Sequence, residues 1–104
     1  MTRARPRTEL QRLLEDILGS ENVYFQPPVS MQLHYPCIVY ERNTYVPRFA
    51  NNETYIRRTR FTIKLITKDP DSPFAEALED IPYCSHTRNY VVDNLVHDIY
   101  DLYW

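Results

Sequence analysis

At 104 residues the chain has room for one domain built around one core. Its single glycine, Gly19, excludes glycine-rich phosphate loops and dinucleotide fingerprints, which need several glycines for close backbone approach. The formal net charge is −2, unevenly spread: residues 1–68 hold eleven Lys/Arg against six Asp/Glu, a net of +5, and residues 69–104 hold one Arg against eight acids, a net of −7. A subunit stacking head-to-tail on copies of itself can use such polarity; the alternative is two differently solvated faces.

The two cysteines, Cys37 and Cys84, form neither a metal spacing nor a disulfide framework. The arginine-rich N-terminus has no apolar run behind it, and no stretch of about eighteen apolar residues occurs, so neither a secretory signal nor a membrane span is expected. A reducing, intracellular setting is the expectation.

In chain order, residues 1–7 with Arg3, Arg5 and Arg7 read as a flexible basic arm. Thr8–Leu18 predicts a helix: Leu10, Leu13, Leu14, Ile17 and Leu18 make one apolar stripe. Thr8 and Gln11 have the spacing of a capping box, and Gly19 stands where a left-handed C-terminal cap belongs. Val23–Phe25 reads as a short extended segment before the stiff Pro27-Pro28 pair. Tyr35–Arg42 predicts a strand covered on both faces, with Pro36 at its first residues or at a sheet edge.

The connection Asn43–Thr54 carries Tyr45, Val46 and Phe49, more aromatic character than a plain loop needs. It reads as a binding loop or an arm that pairs with a neighbour; the alternative is a loop folded back on the core. Tyr55–Thr67 predicts a strand with Phe61, Ile63 and Leu65 on one face and Arg58, Arg60, Thr62 and Lys64 on the other. Asp69-Pro-Asp-Ser-Pro73 stops it. Ser72 caps a second helix over Pro73–Ile81, with Pro73 at its first position and Glu76 near its positive end. Tyr83–Val92 and Leu95–Trp104 predict two strands joined at Asp93-Asn94. The expected architecture is α+β: two helices on a small mixed or antiparallel sheet, in the order α-β-β-α-β-β, as a single domain over 1–104. Trp104 is expected in a core or an interface.

Reactive chemistry is sparse. Cys84, His86 and Asp98 can be drawn as a nucleophile set, but no positive group is at hand to stabilise a thiolate. Cys37, Cys84, His34 and His86 can be drawn as a zinc set, without a recognised spacing. No catalytic residue, metal ligand or cofactor site is expected. The basic strip Arg57, Arg58, Arg60 and Lys64 suits a DNA backbone, a neighbour's acidic half, or a charged guard on a sheet edge.

Five stretches, taken in order and spacing, carry a resemblance: Asn22-Val-Tyr-Phe-Gln-Pro-Pro28, Tyr35-Pro-Cys-Ile-Val-Tyr40, Asp69-Pro-Asp-Ser-Pro73, Pro82-Tyr-Cys84 and Asp93-Asn-Leu-Val-His-Asp98. Together they resemble the tail terminator, or tail completion, neck proteins of long-tailed bacteriophages, over about Thr8 to Trp104. The resemblance implies a non-enzymatic virion protein, assembled in the host cytoplasm. It implies a homohexameric ring on the head-proximal end of the tail tube, which ends tube growth and docks the head connector protein. Double-stranded DNA would pass through the lumen without sequence-specific binding, and no membrane would be involved. Alternatives are a connector stopper, a tube subunit, or a small nucleic-acid-binding regulator. The subunit interface expected from the pattern comprises Tyr45, Phe49, Arg57, Arg58, Arg60 and Lys64 on the basic side. On the acidic side it comprises Asp69, Asp71, Glu76, Glu79 and Asp80.

Overall fold

A computed structural model describes residues 6–43 and 59–104. Two helices lie on one face of a five-stranded mixed sheet, so the fold is α+β. In chain order the elements are α1 (Arg7–Leu18), β1 (Val23–Phe25), β2 (Cys37–Arg42), β3 (Arg60–Thr67), α2 (Pro73–Glu79), β4 (Cys84–Val92) and β5 (Leu95–Tyr103). The sheet order is β1-β2-β3-β5-β4, with β1 parallel to β2 and every other neighbour antiparallel. The short Val23–Phe25 segment thus becomes a full member of the sheet, one strand more than the expected pattern.

The period of two decides which side chains meet. On the inner face Val23, Ile38, Tyr40, Phe61, Ile63, Leu65, Tyr100 and Leu102 form one layer. Leu10, Leu14 and Leu18 of α1 and Leu78 of α2 close it from the helix side. Phe25, Tyr40 and Phe61 fill its centre with tilted and edge-on rings 5.0–6.5 Å apart. Trp104 is only 3% exposed and belongs to this core; its Nε1 donates to the Pro6 carbonyl at 3.0 Å and its backbone N–H to Thr59 at 2.9 Å. These bonds tie the sheet's last residues to the start of α1.

The turn chemistry is largely as expected, with two corrections. Gly19 sits at φ 74° and donates to Glu15, the left-handed cap only glycine takes without strain. Ser72 accepts from the Phe74 N–H, and Pro73 opens α2. Asp93 and Asn94, at φ 53° and 63°, make the tight two-residue turn between β4 and β5. The expected Thr8–Gln11 capping box does not form. The helix begins one residue earlier, behind Pro6, which has no side-chain oxygen to cap with, and Gln11 is used elsewhere. Helix α2 stops at Glu79 rather than Ile81, because Pro82 disfavours helical backbone at the residue before it. The Tyr35-Pro36 bond is cis and leads directly into β2, an interior strand.

Candidate functional site

The two edges of the sheet are built differently. At the β1 edge, the parallel ladder leaves the Val23 peptide groups pointing outward. Both are occupied: Val23 N–H donates to the Glu21 carbonyl at 2.8 Å, and its carbonyl accepts from Gln11 Nε2 at 3.0 Å. Gln11 Oε1 also accepts from the buried Tyr40 hydroxyl, which in turn accepts from Arg7 Nη1 at 2.8 Å. Arg7 lies 4.5 Å above the Phe25 ring centroid. Burial raises the Tyr40 phenol above its ordinary range, against the lowering effect of Arg7. Helix α1 therefore seals the Val23 stretch of this edge through side chains, leaving only Phe25, the last residue of the strand, with outward peptide groups.

The β4 edge is open. Tyr103 N–H donates to the Tyr83 carbonyl at 3.1 Å, which fixes the phase of the β4–β5 ladder. In antiparallel pairing, bonded and non-bonded pairs alternate. The inward groups are then those of Ser85, Tyr90 and Val92. The peptide groups of Cys84, His86, Asn89 and Val91 point away from the sheet; the Cys84 N–H is taken by the Ile81 carbonyl at 3.1 Å, so the open stretch begins after it. A register shift between His86 and Arg88 adds one residue to β4, a bulge, and Thr87 Oγ1 donates to the Ile99 carbonyl there at 3.1 Å. None of the nine β4 residues is lysine, proline or a carboxylate, and Arg88 carries the strand's one full-time charge. Val91 and Val92 are 67% and 48% exposed. On the outer face of this hairpin Tyr90 stacks on His97, with centroids 4.8 Å apart, and Arg88 lies 5.4 Å from the Tyr90 ring.

Of the residues expected at an interface, Tyr45, Phe49, Arg57 and Arg58 lie outside the described residues, as do all but the first residue of the Asn43–Thr54 connection and Tyr55–Arg58 of the expected strand. Arg60 and Lys64 are on the outer face of β3. Arg60 Nη2 contacts Asp101 Oδ2 at 2.9 Å, and that hydrogen bond and charge raise its pKa further. Its intended partner was a neighbour's acid; it has one in its own chain. Asp69, Asp71, Glu76, Glu79 and Asp80 are exposed in the turn before α2 and on α2 and its cap. Asp69 Oδ1 accepts from the Asp71 N–H at 2.9 Å, an ordinary turn. The sheet separates these acids from Arg60 and Lys64, and among the described residues no ion pair joins the two groups.

The nucleophile set is half assembled. His86 Nε2 lies 3.1 Å from Asp98 Oδ1, with the Tyr100 ring edge-on to the imidazole at 5.1 Å. Cys84, however, has its thiol pushed up to about 11, by burial first and by Glu79 and Asp101 next. Such a thiol is protonated at neutral pH and is a weak nucleophile. The zinc set is dispersed. Cys37 is on the outer face of β2 and Cys84 on the inner face of β4, with β3 and β5 between them, roughly 14 Å at the usual strand spacing. Among the described residues no group of three His, Cys, Asp or Glu converges for a metal. No described helix is long and apolar enough to cross a membrane.

Sequence reasoning missed Asp101 as the partner of Arg60 and Gln11 as the seal of the β1 edge. Both depend on register and strand order, which no local pattern encodes. The open β4 edge was within reach, since a nine-residue strand without lysine or proline is unguarded. Comparison of the chain with protein-family models, with curated proteins and with solved structures finds no match.

Proposed function

We propose that this chain is a structural subunit of a bacteriophage neck: a tail terminator that closes into a homohexameric ring on the tail tube, ends tube growth and joins the tail to the head connector. The observation that carries the reading is the separation of the exposed acids from the half-buried cations of the sheet. Acids Asp69, Asp71, Glu76, Glu79 and Asp80 gather around α2, while Lys64 and Arg60 stand on the opposite face of the sheet. Two unlike, complementary faces on one subunit are what a heterologous ring contact needs. Glu79 and Asp80 also sit at the negative end of α2, with no basic residue in its last turn, so a neighbour's cation would offset an unfavourable dipole contact.

The test is the assembled mass. Six copies of a 12.5 kDa chain make a closed particle of roughly 75 kDa, visible as rings by negative-stain microscopy. Because Arg60 already holds Asp101, Lys64 is the cleaner cation to reverse. Lys64→Glu should disfavour the ring, and adding Glu79→Lys and Asp80→Lys should partly restore it; rising salt should weaken it. Open filaments would indicate a tube subunit instead. A chain that never exceeds two copies at any concentration overturns the ring reading.

A further inference from the structure

We infer that the open β4 edge is a self-recognition seam, through which two copies of this chain join their sheets about a two-fold axis. The inference concerns the chain free in solution and does not rest on the ring reading, which uses the charged faces rather than the sheet edge.

The argument begins with the edges. A sheet can extend across copies only where outward peptide groups lack partners. At β1 the outward groups of Val23 are taken by Glu21 and Gln11. Phe25 ends that strand, and Pro27 and Pro28 follow within three residues. At β4 the outward groups of Asn89 and Val91 have no partner among the described backbone bonds. With the β1 edge reduced to Phe25 and ended by the two prolines, it offers too short a ladder for head-to-tail sheet extension, and the edge that remains for β4 to meet is β4 itself.

The bulge between His86 and Arg88 limits the seam. It turns the strand and breaks the spacing of outward groups, so the straight run is Arg88–Val92. Centring the two-fold axis on Tyr90 places Asn89 of one copy opposite Val91 of the other, twice. Each of those pairs exchanges two backbone hydrogen bonds. The same register sets Arg88 opposite Val92 of the second copy, next to that copy's Asp93. Arginine thus meets aspartate at both ends of the seam, while the two arginines stay apart. The half-exposed Val91 and Val92 lose water on pairing. The two Tyr90 residues fall on the axis as a close, non-hydrogen-bonded pair.

A seam of five residues is short, so the pair is expected to be weak and concentration-dependent. Sedimentation equilibrium of the intact chain should show a monomer of 12.5 kDa going over to two copies as concentration rises. Val91→Pro removes an outward donor and leaves the β4–β5 ladder intact, and should weaken association at least tenfold with the far-ultraviolet spectrum unchanged. Asp93→Asn, which keeps the turn, should weaken it a few-fold. Should Val91→Pro fail to fold, cross-linking gives an independent reading. Tyr90→Cys puts two thiols on the axis within disulfide range and should give a covalent pair. Ser85→Cys, on the same strand before the bulge, should not. Equal cross-linking of the two variants, association untouched by Val91→Pro, or a chain monomeric at every concentration would each overturn the seam. A Val91→Pro chain that still makes rings would leave the ring reading standing, so the two ideas fail separately.

Discussion

The half of the sheet formed by β1, β2 and β3 and the outer hairpin strand β4 belong to one sheet, yet they do different work. In β3 the odd residues Phe61, Ile63 and Leu65 are wholly buried, and β2 contributes Ile38 and Tyr40. In β4 seven of nine residues are exposed, including Val91 and Val92. The difference is one of composition and of cover: β2 and β3 supply Ile38, Phe61, Ile63, Leu65 and Ile66, whereas β4 has no Ile, Leu or Phe. Helix α1 lies over the β1–β3 half and reaches its edge with Gln11 and Arg7; at β4 the Cys84 N–H bonds the Ile81 carbonyl, and beyond it the outward groups of Asn89 and Val91 have no partner among the described backbone bonds. The sealed half stabilises the domain, and the open strand is surface left for a second chain.

The largest effect that would break this contrast is in the sealed half. Leu14→Ala or Ile63→Ala, each fully buried, should cost about 2–5 kcal/mol in denaturant unfolding. Val91→Ala should stay within about 0.5 kcal/mol in dilute solution, because Val91 is 67% exposed and buries little on folding. Comparable losses at the two positions would end the distinction.

Those sites also mark what was legible in the sequence. The alternation of Phe61, Ile63 and Leu65, the α1 stripe, the Ser72-Pro73 start and the Asp93-Asn94 turn are local patterns, and each produced its element. Three things were not local. The parallel pairing of Val23–Phe25 joins segments fifteen residues apart through the Val23↔Ile38 register. The placing of β5 between β3 and β4 reverses the chain order. The spacing of Thr8 and Gln11 suits a capping box, and spacing alone cannot say that the Gln11 amide reaches Tyr40 and Val23 instead. The candidate site was less legible than the fold, because an open edge is a property of what fails to cover it.

Next in size is the seal itself. Gln11→Ala leaves the Tyr40 hydroxyl without its acceptor and the Val23 carbonyl without its donor, and should cost about 1–3 kcal/mol. It should also open the β1 edge to exchange. Smaller again is Gly19→Ala. The site has open space around it, so the cost comes from φ 74° alone, about 1 kcal/mol. A loss well beyond that would mean a packing role the geometry does not contain.

The cysteines give a pH-dependent reading. Cys37 and Cys84 are both pushed up to about 11 by burial, from an ordinary value of 9.0. The folded chain therefore holds its thiol protons more tightly than the unfolded one. The stability this confers is complete below pH 9 and declines as pH rises from 9 towards 11. Alkylation of both thiols at pH 8 should be slow in the native protein and rapid in denaturant. Fast native alkylation of Cys84 alone would place it at the open edge rather than against the core.

The most direct measurement is residue-resolved amide hydrogen exchange in dilute solution. Along β4 the account requires alternation past the bulge: Asn89 and Val91 exchange fast, while Tyr90 and Val92 are protected by β5. At the other edge the Val23 amide, bonded to Glu21, should be protected. Raising the protein concentration should slow Asn89 and Val91 selectively. Uniform protection along β4 in dilute solution, or a Val23 amide exchanging as fast as Val91, would contradict the division between a sealed and an open edge.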